Sequence, residues 1–265
     1  MKRISLLFAV LAALAAGPVT LAVAETLSGT DAADTLDGTP EPDQIYGEAG
    51  DDALSGLSGD DYLEGGPGSD RVVGGSGADL TIGGTGDDTV DAGSGNDVVY
   101  AGAGDDTVLG GSGADTIFGQ AGTDRLFGGA GRDQLYASGG GDVADGGSGD
   151  DRLTSEADGA TLLGGPGKDV IVAGGGDITA RGGNGNDRIR TGAGNDIVSG
   201  GPGLDGIATG DGDDQINVRD GKRDRVQCGG GEDTVEADRS DMLSGCEVRN
   251  PSASPARSSR RSRRR

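Results

Sequence analysis

Between Gly29 and Asn217 apolar and polar positions recur with a period of nine, through 21 consecutive units without insertion or deletion. Within the unit, position 4 is Gly in 18 of 21 copies, position 6 is Asp in 19, and position 8 is Leu, Ile or Val in 18. Gly65-Gly66-Pro67-Gly68-Ser69-Asp70-Arg71-Val72-Val73 and Gly110-Gly111-Ser112-Gly113-Ala114-Asp115-Thr116-Ile117-Phe118 are clear copies. A period held this long marks a stacked-repeat architecture, in which one unit is too small to bury its apolar residue alone.

The spacing predicts a turn over the first six positions, where glycines at 1, 2 and 4 permit positive φ and close backbone approach, and a short strand over the last three. Side chains alternate across a strand, so position 8 faces one way and positions 7 and 9 the other. Two nonads then make one 18-residue coil. Stacked coils give two parallel sheets facing each other across a thin aliphatic core that includes Leu63, Val72, Val90, Val99, Val108, Ile117 and Leu126. The expected fold is all-β, a parallel β-roll or two-sheet β-solenoid of about ten coils, roughly 50 Å long at about 4.8 Å per strand. Odd nonads turn at one edge of the roll and even nonads at the other.

Composition fits a thin core and adds a difficulty. The chain has 57 Gly and only 3% aromatic residues, too little bulk for a thick interior. All 45 acidic residues fall between residues 25 and 250, against 14 of the 22 basic ones, so this stretch carries a net charge of −31. That much charge on so few apolar side chains predicts disorder unless a bound cation reverses it. It also argues against nucleic acid as a partner. Stacking brings aspartates two nonads apart to about 5 Å, where two unit charges repel by about 0.8 kcal/mol even in water. Carboxylates and turn carbonyls facing the same gap are hard oxygen donors, which suit Ca2+ better than Zn2+ or copper.

These nonads resemble the RTX, or hemolysin-type, calcium-binding nonapeptide G-G-x-G-x-D-x-U-x over residues 29–217. The resemblance implies Ca2+ held between turns by position-6 Asp and turn carbonyls, in a chain largely unfolded without calcium. The residues it implies as ligands are Asp52, Asp61, Asp70, Asp79, Asp88, Asp97, Asp106, Asp115, Asp124, Asp133, Asp142, Asp151, Asp169, Asp187, Asp196, Asp205 and Asp214. Ala32 and Glu41 replace the position-4 glycine in the first two nonads, as a degenerate cap would. Ala160 and Ile178 replace the ligand itself, both on the odd edge. Ions are therefore expected in an unbroken even file from Asp61 to Asp205, and in an odd file interrupted near Ala160 and Ile178.

Four segments follow. Residues 1–24 read as a signal peptide, with Lys2 and Arg3, an apolar run from Ile4 to Ala16, and Ala22-Val23-Ala24 before Glu25. Residues 25–217 form the roll, 218–250 a degenerate cap, and 251–265 a disordered tail with six Arg. A secreted protein with no transmembrane segment in its mature chain is expected. In the cap, Asp224-Arg225-Val226, Asp233-Thr234-Val235 and Asp241-Met242-Leu243 keep the Asp-x-aliphatic pattern at loosened spacing, as strands without good calcium turns. Cys228 and Cys246, the two cysteines, are one coil apart, which puts their α-carbons near 5 Å and within reach of a disulfide. Free thiols are the alternative.

The chain has no His, which excludes H-E-x-x-H zinc sites and Ser-His-Asp chemistry. Carboxylate-based hydrolysis is the enzymatic alternative, and it competes for aspartates already placed as ligands. A calcium-dependent extracellular structural or adhesive element is favoured, with an extracellular polymer, a glycan or a second copy as candidate partners. An ice-binding surface needs a regular outward row of Thr, whereas position 7 of the odd nonads reads Thr35, Ala53, Arg71, Thr89, Thr107, Arg125. Position 9 of the even nonads gives one outward ladder, Tyr46, Glu64, Ile82, Tyr100, Phe118 and Tyr136. Such a ladder either stabilises its own sheet or docks a second roll or an extracellular polymer.

Overall fold

The computed structural model describes residues 24–248. The expected signal peptide, apart from residue 24, and the arginine-rich tail lie outside the described residues. Among the described residues twenty-six strands, from β1 (Thr26–Thr30) to β26 (Glu247–Val248), form two 13-stranded sheets. Consecutive strands alternate between the sheets, and each pairs in parallel with the strand one coil away: Val72 lies opposite Val90, and Ile117 opposite Leu135. The fold is thus the parallel β-roll that the period predicts. It extends past the regular nonads at both ends: one strand begins before Gly29, which the period did not predict, and strands continue after Asn217, where the Asp-x-aliphatic pattern of the cap predicts them. Among the described residues no helix is long and apolar enough to cross a membrane.

Over much of the roll the turns are shorter than the glycine pattern suggests, while β19 (Arg188–Arg190) to β22 (Gln215–Asn217) keep the three-residue strand it predicts. In β6 (Arg71–Ser76) the chain stays extended through Gly74 and Gly75, so the strand takes in the first three positions of the next nonad. Six-residue strands of this kind recur from β4 (Ala53–Ser58) to β12 (Arg125–Ala130), leaving positions 4 to 6 to turn. Extending the strand continues the hydrogen-bonded ladder, and the positive φ of Gly75, +116°, bends it toward the edge. Position 4 needs glycine for a second reason. At Gly113, where φ is +130°, a Cβ would overlap the Gly95 carbonyl oxygen one coil back.

The longer strand gives each nonad two inward positions, where the alternation predicted one. Position 8 supplies the aliphatic layer, with Leu54, Leu63, Val72, Ile117 and Leu126 all buried, each worth roughly 1.5–3 kcal/mol. Position 1 supplies a second row of Gly or small residues such as Ala92, Ala101 and Ala173. These must be small because the position-6 side chain folds back against them; a methyl at Gly65 would meet Asp70 Oδ2.

After Asn217 one extra residue is absorbed in a loop, yet Ile207 still pairs with Val226 and Ile216 with Val235. Cys228 and Cys246 form a disulfide with α-carbons 5.3 Å apart, joining neighbouring coils as their spacing predicts.

Candidate metal sites along the turn edges

Each position-6 aspartate stands where a turn enters a strand, and all seventeen implied by the sequence are buried. On the even edge they form one file. The N–H of each donates to Oδ1 of the next, one coil ahead, at 2.8 to 2.9 Å from Asp43 through Asp205. The recipient at the end of that run is Asp224, so the file outlasts the regular nonads.

On the odd edge the same relay joins Asp34, Asp52, Asp70, Asp88, Asp106, Asp124 and Asp142. It lapses at Ala160 and resumes where the Ile178 N–H donates to Asp196, which is followed by Asp214 and Asp233. Ala160 and Ile178 are buried apolar residues in place of a carboxylate. The turn before Asp142 is also reshaped, and its Oδ2 accepts the Gly139 N–H at 2.8 Å. Asp142 therefore stands apart from the other sixteen.

For those sixteen, and for Asp224 and Asp233, Oδ2 is buried with no hydrogen-bond partner. An unpaired buried polar atom costs about 1–3 kcal/mol and more if charged, so eighteen of them cost on the order of tens of kcal/mol, beyond the usual stability of a fold. Burial pushes up the carboxyls of Asp79, Asp124, Asp133 and Asp205, to about 6, and those of Asp88, Asp97 and Asp169, to about 7. The N–H bond from the coil behind pulls them down, and neighbouring carboxylates push them up again. A proton or a cation held between the turns would meet the demand of these oxygens.

Among the described residues no three acidic side chains converge as a ready-made metal cage. An ion between turns therefore needs backbone carbonyls for much of its shell. That donor set fits Ca2+, which accepts mixed carboxylate and carbonyl oxygens in flexible geometry, and does not fit Zn2+.

Two contributors escaped the sequence reading. Asp224 and Asp233 sit like the regular ligands despite the loosened spacing; their signal was the aliphatic residue two places on. The second is position 5, where Asp or Asn recurs just before the position-6 Asp. There Asp87 Oδ1 accepts the Asp105 N–H at 2.9 Å and Asn96 Oδ1 the Ala114 N–H at 2.8 Å, one coil ahead in each case. Positions 5 and 6 thus clasp neighbouring coils in opposite senses.

The ladder on the even sheet is present in register, with Tyr100 opposite Phe118 and Phe118 opposite Tyr136. Their rings stack nearly parallel, with centroids 4.9 and 4.7 Å apart. Both faces of Phe118 are therefore covered by its neighbours.

A family model described as the RTX calcium-binding nonapeptide repeat (4 copies) matches residues 28–63, 49–81, 82–117, 118–153, 154–177 and 180–218. No curated protein matches the chain. Among solved structures it is similar to a hyperactive, Ca2+-dependent, β-helical antifreeze protein from an Antarctic bacterium. The identity is 22%, over 88% of this chain and 83% of that one, with a TM-score of 0.50. At that identity the likeness speaks for the fold.

Proposed function

The chain belongs to the RTX calcium-binding nonapeptide repeat family, and its ion is Ca2+; we propose that it is a calcium-dependent extracellular structural or adhesive element whose two aspartate files hold the ions. The observation that carries this reading is the set of eighteen buried Oδ2 atoms without partners. When bound, Ca2+ supplies the positive charge those oxygens lack. Each of these eighteen aspartates keeps Oδ1 for the N–H of the coil behind it and has Oδ2 free for an ion, so ion binding and coil stacking use different oxygens of one carboxyl. Because the unfolded chain offers no such stack, binding and folding are linked.

The basic and apolar start of the chain, Lys2 to Ala16, supports export. Millimolar calcium outside a cell would then complete the roll. We assign it no catalytic chemistry: it lacks His, and its most buried carboxylates are occupied in holding coils together. The ice-binding alternative is disfavoured by Ala53, Arg71 and Arg125, which interrupt the outward threonine row on the odd sheet; a thermal-hysteresis measurement in calcium checks it.

The deciding experiment is a calcium titration of the purified chain followed by far-UV circular dichroism and calorimetry. A cooperative change from coil to β is expected at submillimolar to millimolar calcium. A β spectrum indifferent to excess chelator would refute the reading.

A further inference from the structure

We propose that the outer face of the even sheet, over its C-terminal half, docks an acidic polysaccharide. The proposal builds on the reading of the roll as an extracellular element and gives it a partner. From β15 (Arg152–Ser155) to β23 (Arg225–Gln227), the outward positions 7 and 9 of this sheet carry Arg152, Arg188, Arg190 and Arg225 and no acidic residue. On a stretch with net charge −31 this is a local reversal of sign. The outer face of the odd sheet differs, since Asp91 and Asp145 share it with Arg71 and Arg125.

The arginines are evenly spaced. Arg152 pairs with Val170 and Val170 with Arg188; Arg188 then pairs with Gly206 and Gly206 with Arg225. Arg152, Arg188 and Arg225 therefore form one exposed row at every second strand, about 10 Å apart. Gly206 has no side chain, and a hollow of about 400 Å³ opens beside it between Arg188 and Arg225. Arg223 lines the same hollow and donates to Met242 Sδ at 3.2 Å. Among the described residues Arg188 and Arg225 have no ion pair, so their planar forks are free for two-point bonds to a carboxylate.

The pitch selects the partner. Nucleic acid carries a phosphate about every 3.4 Å along each strand of a duplex, far denser than this row, and such charge would also meet the acidic turns on both edges. The turn acids of a second roll repeat at about 5 Å, twice as densely as the arginines, so every second acid would be left without a cation opposite it. An extended polysaccharide with one acid per disaccharide presents its charges at intervals comparable with two strands.

The test uses the full chain in millimolar calcium, after its β spectrum has been verified. It is titrated with hyaluronan, which carries one carboxylate per disaccharide, and with uncharged dextran. Hyaluronan should bind and dextran should not. The triple variant Arg152→Gln, Arg188→Gln, Arg225→Gln should bind hyaluronan about tenfold more weakly or worse. The control pair Arg71→Gln, Arg125→Gln on the odd sheet should bind like the parent. Equal loss in both variants, binding to dextran, or no binding by the parent overturns the proposal. So does tighter binding to single-stranded DNA, or self-association in light scattering that the triple variant abolishes. If the triple variant does not fold, Arg188→Gln alone carries the same comparison. A chain that stays unfolded in calcium fails at the spectrum, which separates failure of the calcium reading from failure of this one.

Discussion

The backbone N–H of Asp97 donates to Oδ1 of Asp115, one coil ahead and 2.9 Å away, while Oδ2 of the same Asp115 carboxyl is buried with no partner. One side chain fastens two coils and leaves half of its charge unmet. Repeated along both edges, this division of labour makes the same residue responsible for the shape of the roll and for its need of a cation.

Acid should substitute in part for calcium. Burial raises Asp97 to about 7, against about 4 in an unfolded chain. A carboxyl raised by folding contributes stability that is full below the unfolded value and lost as pH rises through the folded one. In chelator, the far-UV spectrum should therefore gain β content as pH is lowered from about 8 to about 5, and lose it on return. With calcium, the roll should persist at neutral pH, and calcium affinity should fall on acidification as protons compete for Oδ2. A chelated chain equally unfolded across this range would contradict the assignment.

Asp97 and Asp142 should respond differently to amidation. Asp97→Asn keeps an oxygen for the Asp79 N–H but removes the charge at Oδ2, so calorimetry should show fewer bound ions and a higher folding midpoint in calcium. In Asp142→Asn the ion count should hold, because Oδ2 there already accepts the Gly139 N–H. Crystals grown with calcium should show ions along the even edge and a gap in the odd file at Ala160 and Ile178. Well-occupied ions at both of those turns would count against the assignment.

Much of this was legible in the sequence because the period fixes the register. Once every ninth residue is placed, Val72 opposite Val90 and Asp61 one coil from Asp79 follow without further information; the pairing of Cys228 with Cys246 lies past that register and was legible only as a one-coil spacing, with free thiols the alternative. What the period does not encode is where extended backbone ends. Glycines at positions 1 and 2 read as turn residues, yet the ladder's hydrogen bonds keep Gly74 and Gly75 in the strand. Nor does it show that an aspartate in register has a free oxygen. Asp142 fits the pattern and lacks one, because the turn before it is reshaped; Asp224 breaks the spacing and has one, because a loop absorbs the extra residue.

Leu57 stands at position 2 with φ of +74° and half its surface exposed, a conformation that glycine adopts freely and leucine does not. Leu57→Gly should stabilise the calcium-loaded roll by about 1 kcal/mol. Urea unfolding in saturating calcium measures it, and a loss of stability would show that Leu57 packs more than its exposure suggests.

Phe118 lies between Tyr100 and Tyr136 with both ring faces covered. Phe118→Ser should cost about 1–2 kcal/mol through the two lost stacks, seen in urea unfolding with calcium present, and should leave hyaluronan binding unchanged. Loss of that binding would show that the ladder belongs to the docking face.

The odd edge has a weak seam. Asp142, Ala160 and Ile178 occupy successive coils, and over that stretch neighbouring turns are joined by backbone bonds such as Gly141 N–H to the Asp158 carbonyl oxygen at 3.0 Å and Gly159 N–H to that of Asp177 at 3.1 Å. The even edge opposite keeps its carboxylate relay from Asp133 to Asp187. In saturating calcium, limited proteolysis should cut first at the 138–141 and 156–159 turns; first cuts on the even edge would mean the seam is no weaker than the rest. A rod braced along both edges resists bending in either sense. One whose bracing lapses on a single edge flexes there and in one direction, so under load the roll has an elbow just past its midpoint rather than uniform stiffness.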